Sequence, residues 1–116
     1  DWSSDVCSSD LEEKLSGYLT VNSLTDIFYV VRYSLPEAET REIIRSLLYS
    51  LNVIEVGGAD CWQALSLSMD DFEDALLAAC AEKISADYII SRDSDFAKSA
   101  SPVQVVNPRK FLSEIS

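Results

Sequence analysis

The sequence predicts an α/β fold with a mainly parallel sheet, because short apolar strand segments alternate along it with helical segments. Two further observations support this prediction. The chain has 116 residues, of which 47% are apolar, enough to build one domain with its own core. Strand–helix–strand connections of the observed lengths favour right-handed crossovers. In such sheets, functional side chains lie at the carboxyl ends of the strands.

Charge and composition exclude several classes of function. The chain carries 20 acidic against 9 basic residues, a net charge of −11, and no histidine, which rules out histidine triads and histidine general bases. Its 3 cysteines are too far apart for a zinc site or a disulfide framework. No apolar run is long enough to span a membrane and no cleavable leader is recognisable, so we expect a cytoplasmic protein without membrane contact. An acidic chain does not hold nucleic acid by bulk charge, and the carboxylates are its main chemical resource.

Residues 1–11 differ from the rest of the chain. They have no helical or strand period, and Ser-Ser-Asp recurs within them. The string resembles one reading frame of a sequencing adapter, so we expect a non-native segment that is excluded from the fold. The native N-terminus is then missing, and residues 12–116 form the domain. The alternative interpretation is a flexible polar N-terminus.

The predicted elements of the first half are a helix tail over 12–16, a strand over 18–22, a helix over 24–33 and a helix from Pro36 to Leu51. Gly17 is a usual stop for the helix tail. Ser23, with Asp26 three residues later, predicts a capping box for the following helix. Pro36 suits a helix start, and the apolar residues after it recur at three-four spacing.

The predicted elements of the second half are a strand over 52–56, helices over 59–66 and from Asp70 or Asp71 to about Lys83, strands over 88–91 and 103–106, and a C-terminal helix from Asn107-Pro108. Gly57-Gly58 closes the first of these strands. Residues 75–81 are all apolar, which predicts a helix buried on more than one side. The 2 cysteines that follow residue 11 are Cys61 and Cys80. We expect both to be buried free thiols in a reducing cytoplasm.

Acidic residues fall where strands end and helices begin. The candidate metal ligands are Asp26, Asp74, Asp93 and Asp95. Clustered carboxylates are the ligands that Mg²⁺ or Mn²⁺ prefers. The alternative for Asp26 is the acid of a capping box, and for Asp93 and Asp95 it is a turn-forming role after a strand.

Asp74 is the candidate that a structural role explains least. Asp70, Asp71 and Glu73 are expected to cap the helix and to interact with its dipole. Asp74 leads directly into the buried segment 75–81 and has no Lys or Arg within one turn. Because an unpaired buried charge is costly, a metal ion is one candidate partner.

Four segments together resemble a PIN domain of the small bacterial type that includes VapC-like toxin ribonucleases. They are residues 23–31, 71–81, 89–96 and 105–112, which read SLTDIFYVV, DFEDALLAACA, IISRDSDF and VVNPRKFL. The resemblance covers about residues 12–115. It implies a three-layer α/β/α sandwich, cleavage of RNA with Mg²⁺ or Mn²⁺, and a neutralising antitoxin as a possible partner.

The resemblance also assigns roles to individual residues. The acids that match the family pattern are Asp26, Asp74 and Asp93, with Asp95 as a nearby substitute. Ser91 matches a position that would orient the acidic loop or a metal-bound water. Arg92 could contact a substrate phosphate, and the alternative is a solvent-exposed arginine without such a role.

One part of the family pattern is absent from the sequence. The family's first acid lies in an apolar-Asp-Thr-Asn stretch near the N-terminus, and none is found here. We therefore expect the first, central strand to be missing and this 116-residue chain to be inactive. Unpaired strand edges then favour aggregation or a homodimer.

Two other classes of function remain open at this point. The first is a non-catalytic acidic α/β interaction module, in which the acids only cap helices and keep the surface soluble. The second is a receiver-like phospho-acceptor fold, which also gathers aspartates at strand ends. We rank it last, because the acids here precede or open helices and Lys98 is expected in a loop.

Overall fold

Strands and helices alternate along the chain in the computed structural model, which describes residues 2–6 and 15–115. The strands are β1 (Trp2–Val6), β2 (Leu15–Thr20), β3 (Asn52–Ile54), β4 (Tyr88–Ile90) and β5 (Val105–Val106). The helices are α1 (Val21–Ser34), α2 (Glu37–Ser50), α3 (Gly58–Ser66), α4 (Phe72–Lys83), α5 (Ser94–Ala97) and α6 (Pro108–Ile115). The predicted α/β class is confirmed.

The five strands form one sheet in the order β3-β2-β1-β4-β5. β2 pairs parallel with β3, and β4 pairs parallel with β5. β1 lies between the two halves and is antiparallel to both β2 and β4. The other four strands therefore point in the same direction, and their carboxyl ends share one edge of the sheet.

The centre of the sheet differs from the expectation of a missing strand. Ser3 of β1 pairs with Tyr18 on one side and with Ile89 on the other, so a strand from the adapter-like segment occupies that position. β1 runs in the opposite direction to its neighbours, and its carboxyl end at Val6 pairs with Leu15, at the edge opposite the predicted site. The non-native origin of residues 1–11 stays a prediction.

The start of β2 corrects another expectation. The predicted helix tail over 12–16 is wrong at its last two residues, since Leu15 and Ser16 belong to β2 and pair with β1. Cross-strand pairing here overrides the local helix signal, as tertiary context commonly does. Residues 12–14 of that prediction lie outside the described residues.

Helix α4 is the centre of the core. Its residues from Ala75 to Ala81 are all buried, so the prediction of burial on more than one side is confirmed. Leu77 and Ala78 pack in a cluster with Ile89 of the sheet. Leu76 belongs to a second cluster, which includes Ala64 of α3. α4 is therefore held between the sheet and α3.

Successive side chains of β4 point to opposite faces of the sheet, and a helix packs on each face. Ile89 faces the α4 cluster, whereas Ile90 packs with Val106 and with Phe111 of α6. Tyr88 lies on the α6 side as well, and its ring meets that of Phe111 edge-on at 5.9 Å between centroids. β4 therefore has α4 on one face and α6 on the other.

Cys80 is buried within α4 and Cys61 is partly buried in α3, both as free thiols. Burial raises the pKa of the Cys80 thiol, which disfavours the reactive thiolate. Among the described helices, none combines the length and the apolar character that crossing a membrane requires.

Candidate active site

Two segments bring acidic side chains to the edge where β2, β3, β4 and β5 end. The first is the start of α4, and the second is the loop that follows β4. A cleft between them is lined by ten residues, including five acids and one lysine. They are Ser68, Met69, Asp70, Asp71, Asp74, Asp93, Asp95, Lys98, Ser99 and Ala100.

Asp74 lies in the first turn of α4 and is half-buried. Burial, followed by the negative charges of Asp71, Asp93, Glu73 and Asp95, raises the pKa of its carboxyl from 3.8 to about 6. Every neighbouring charge that acts on this pKa is negative. Among the described residues, Lys98 also lines the cleft, but no positive charge contributes to the pKa shift of Asp74.

Asp71, one of the two caps that the sequence predicts, is the N-cap of α4. Its Oδ1 accepts a hydrogen bond from the backbone N–H of Asp74 at 3.0 Å, which satisfies one of the free amides at the helix start. This bond fixes Asp74 and Asp71 as neighbours in the cleft. The sequence does not predict the raised pKa of Asp74, because the shift also depends on burial and on Asp93 and Asp95 from the loop after β4.

The loop after β4 is held by a buried serine. Ser91 is 4% exposed, and its N–H donates to the carbonyl of Val106 at 3.0 Å. Its Oγ accepts a hydrogen bond from the N–H of Asp93 at 3.1 Å. Ser91 therefore connects the end of β4 to β5 and positions the backbone of Asp93.

Asp93 has a structural task as well as a place in the cleft. It is the N-cap of the short helix α5, and its Oδ1 accepts from the N–H of Asp95 at 2.9 Å. One carboxylate oxygen of Asp93 therefore has the turn-forming role that the alternative interpretation gives to this residue. Asp93 still acts on the pKa of Asp74, so the two carboxylates share one electrostatic environment.

Asp26 is exposed in the second turn of α1 and does not cap that helix. The predicted capping box of Ser23 and Asp26 is wrong, because Thr20 is the N-cap and its Oγ1 accepts from the N–H of Ser23 at 3.1 Å. β2 ends at Thr20, and α1 follows without a loop, so the helix starts three residues earlier than predicted.

Asp26 and Asp74 line a second cavity together. It lies beside the acidic cleft and is mostly apolar, with Ile27, Val31 and Leu77 among its lining residues. Asp74 borders both cavities, whereas Asp26 borders this one and Asp93 the other. The structure thus places Asp74 between the other two predicted acids.

Arg92 lies on the far side of the loop after β4. It is exposed and lines a separate open groove with Asn107, Pro108, Arg109 and Leu112. Sequence reasoning missed Arg109 as a neighbour of Arg92. The signal for it was available, since residues that follow two parallel neighbouring strands meet at one edge.

The donor chemistry of the cleft fits a divalent cation, because hard cations take carboxylate oxygens. Within residues 2–6 and 15–115, however, no three acidic or thiol side chains come together as a group that could hold a metal ion. Mg²⁺ commonly uses only one or two protein carboxylates and keeps its waters and a substrate phosphate as further ligands. The half-buried Asp74 with its acidic neighbours fits this smaller ligand set.

Comparison with known proteins gives one match. A family model described as a PIN domain matches residues 3–95, a range that runs from β1 to the acidic loop after β4. No curated protein and no solved structure matches the chain. Since the match covers most of the sequence and includes Asp26, Asp74, Asp93 and Asp95, the chain belongs to the PIN domain family.

Proposed function

We propose that this domain is a Mg²⁺- or Mn²⁺-dependent ribonuclease of the toxin–antitoxin type, which hydrolyses RNA phosphodiesters. PIN domains are generally metal-dependent nucleases that act on nucleic acid. The observation that carries the proposal for this chain is the environment of Asp74. Burial, followed by the surrounding acids, raises the pKa of its half-buried carboxyl to about 6, and a bound divalent cation would compensate the negative charge.

The proposed metal ligands are Asp74 and Asp93, with Asp26 and Asp95 nearby. Asp93 uses Oδ1 to cap α5, so its second oxygen is available as a ligand. Asp26 lines a cavity with Asp74 and has no capping task. It can therefore serve as a further ligand or accept a proton from the attacking water.

We assign to Ser91 and Arg92 the positioning of the acidic loop and of the substrate. Ser91 holds the N–H of Asp93 and so fixes the acidic loop relative to β5. Arg92 belongs to the same loop and is exposed, so its guanidinium can pair with a phosphate of the substrate. A divalent ion bound at such a site polarises the phosphate and lowers the pKa of a bound water.

Exposed aromatic side chains on α1 and α2 support the proposed protein partner. Tyr29, Tyr33 and Tyr49 are 67%, 93% and 87% exposed, and aromatic residues are enriched where proteins meet. We propose that an antitoxin covers the exposed surface of α1 and α2 and that the domain acts in the cytoplasm. A homodimer through the same surface is the alternative that size-exclusion chromatography of the chain alone would reveal.

The test compares two chains on single-stranded RNA. One is the 116-residue chain, and the other carries, in place of residues 1–11, the native N-terminal segment that we propose precedes Glu12. We expect the second chain to cleave RNA with Mg²⁺, and we expect EDTA to stop this cleavage. The first chain should be inactive, because it lacks the family's first acid. Asp74→Asn in the second chain should abolish cleavage.

The matched control is Glu82→Gln, which removes one exposed carboxylate from the other end of α4. This variant should cleave as the unsubstituted chain does. Cleavage that survives Asp74→Asn, or that EDTA leaves unchanged, would contradict the proposed function. Robust cleavage by the 116-residue chain would refute only the hypothesis that the chain is truncated and lacks an acid needed for activity.

A further inference from the structure

The arginines and lysines that the structure describes fall into two groups. Arg41, Arg45 and Lys83 pair with acidic side chains, and Arg32 donates to a backbone carbonyl. In the part of the chain that the structure describes, the other basic side chains have no ion-pair partner and all lie within residues 92–110. They are Arg92, Lys98, Arg109 and Lys110. The unpaired positive charge is therefore concentrated beside the acidic cleft.

Strand pairing brings Arg92 and Arg109 together. β4 and β5 are parallel neighbours, and the N–H of Ser91 donates to the carbonyl of Val106 at 3.0 Å. The residues that follow the two strands consequently leave the sheet side by side. Arg92 and Arg109 line one open groove there and are both exposed.

The polar atoms of the groove favour an anion. Two guanidinium groups present planar sets of donors that match phosphate oxygens. The Oδ1 of Asn107 accepts from the N–H of Lys110 at 2.7 Å, which leaves the side-chain amide of Asn107 as a further donor. The groove thus contains donors from three side chains and no carboxylate among its lining residues.

The groove and the acidic cleft lie on the two sides of one short loop. Arg92 and Asp93 are consecutive, and Arg92 borders the groove while Asp93 borders the cleft. A polynucleotide that is held at Asp74 and Asp93 and continues across this loop would bring a neighbouring phosphate to Arg92.

We propose that Arg92 and Arg109 bind the backbone phosphate next to the one that is cut, and so position a single-stranded RNA across the loop. This inference rests on the proposed function. It also explains how a chain with a net charge of −11 can hold RNA, since the contact depends on local rather than total charge.

The test measures binding without cleavage, so that it stays separate from the test of catalysis. The probe is a labelled, mixed-sequence, single-stranded oligoribonucleotide, titrated by fluorescence anisotropy in EDTA at several salt concentrations. Every chain carries Asp74→Asn, which prevents cutting. Arg92→Ala with Arg109→Ala should weaken binding by about tenfold, the effect of losing charged hydrogen bonds. The slope of log affinity against log salt should fall by about 0.7, as for one phosphate contact on a single strand.

Two further pairs of substitutions make the result specific. Arg41→Ala with Arg45→Ala removes the same charge from α2 and should leave affinity unchanged. Arg92→Lys with Arg109→Lys keeps the charge and should keep the salt slope while weakening the affinity, because lysine lacks the planar fork. Unchanged affinity and slope in the alanine pair, or an equal loss in the α2 pair, would overturn the inference.

Discussion

Asp74 is the residue on which the account of the site depends. Its place before seven apolar residues suggests a buried acid without a local cation, and the structure shows a half-buried carboxyl whose pKa is raised by burial and four acids. Asp70 has the same side chain four residues earlier, but it is exposed in the turn before α4. The difference between the two is burial, which the apolar run predicts for one side of Asp74 and not for Asp70.

The raised pKa of Asp74 predicts how stability depends on pH in the absence of metal. The folded chain binds this proton more tightly than the unfolded chain, whose carboxyl keeps its ordinary pKa of 3.8. The contribution of Asp74 to stability is therefore complete below about pH 4 and is lost as the pH rises to about 6 and beyond. Asp74→Asn should remove this loss and stabilise the chain at pH 7 by about 1 kcal/mol after allowing for solvent screening.

Urea unfolding of both chains at acidic and neutral pH, in EDTA, checks this prediction. The two free energies of unfolding should agree at pH 4 and separate as the pH rises. Glu82→Gln serves as the control and should show no such separation. An Asn variant that is less stable than the parent chain at pH 7 would contradict the assigned environment of Asp74.

At the scale of the element, α4 combines a helix cap and a candidate metal site in one turn. Asp71 stabilises the helix through its bond to the N–H of Asp74, while its charge opposes the ionisation of the Asp74 carboxyl. The two effects can be separated, because asparagine caps a helix as well as aspartate does but carries no charge.

Asp71→Asn and Asp71→Ala should consequently differ in stability. Both remove the charge beside Asp74, but only alanine removes the cap, so the alanine variant should be less stable than the asparagine variant by about 1 kcal/mol. Thermal unfolding at neutral pH without metal measures the difference. Equal stability of the two variants would mean that the cap contributes nothing, and Asp70→Ala, which is not at the cap, should unfold as the parent chain does.

Elements with strong local signals could be predicted from the sequence. The apolar run of α4 and the helix start at Pro108 lie where the sequence predicts them. The cap at Asp71 is one of the two predicted positions, and Pro36 is the N-cap of α2, one residue before the helix. α5 could not be predicted, since a four-residue helix depends on the single cap at Asp93. The sequence predicts the wrong start for α1, because Ser23 and Asp26 form a capping pattern, whereas the chain passes from β2 directly into the helix at Thr20.

At the scale of the whole molecule, the sheet consists of two parallel halves joined by an antiparallel strand. The sequence predicts the halves, because strand and helix signals alternate in each. It does not predict β1, since residues 2–6 carry no period of their own and one of their two partner strands, β4, is distant in the chain. The grouping of Asp26, Asp74 and Asp93 at one edge follows from the direction of β2 and β4, which local patterns leave open.

Acidic and basic side chains collect in two different, neighbouring regions of the molecule. Carboxylates collect at the start of α4 and in the loop after β4, while the unpaired basic side chains collect after β4 and β5. The net charge of −11 averages over these two neighbouring regions. A cation-binding cleft and a phosphate-binding groove can therefore exist side by side in a strongly acidic chain.

Calorimetric titration of Mn²⁺ into the 116-residue chain tests the central claim, that the carboxylates around Asp74 bind a divalent cation. We predict saturable binding that strengthens as the pH rises through about 6, because the metal competes with the proton on Asp74. Binding should be lost in Asp74→Asn and retained in Glu82→Gln. Absence of binding at neutral pH, or an Asp74→Asn isotherm that matches that of the parent chain, would contradict the account and favour an acidic interaction module without a metal.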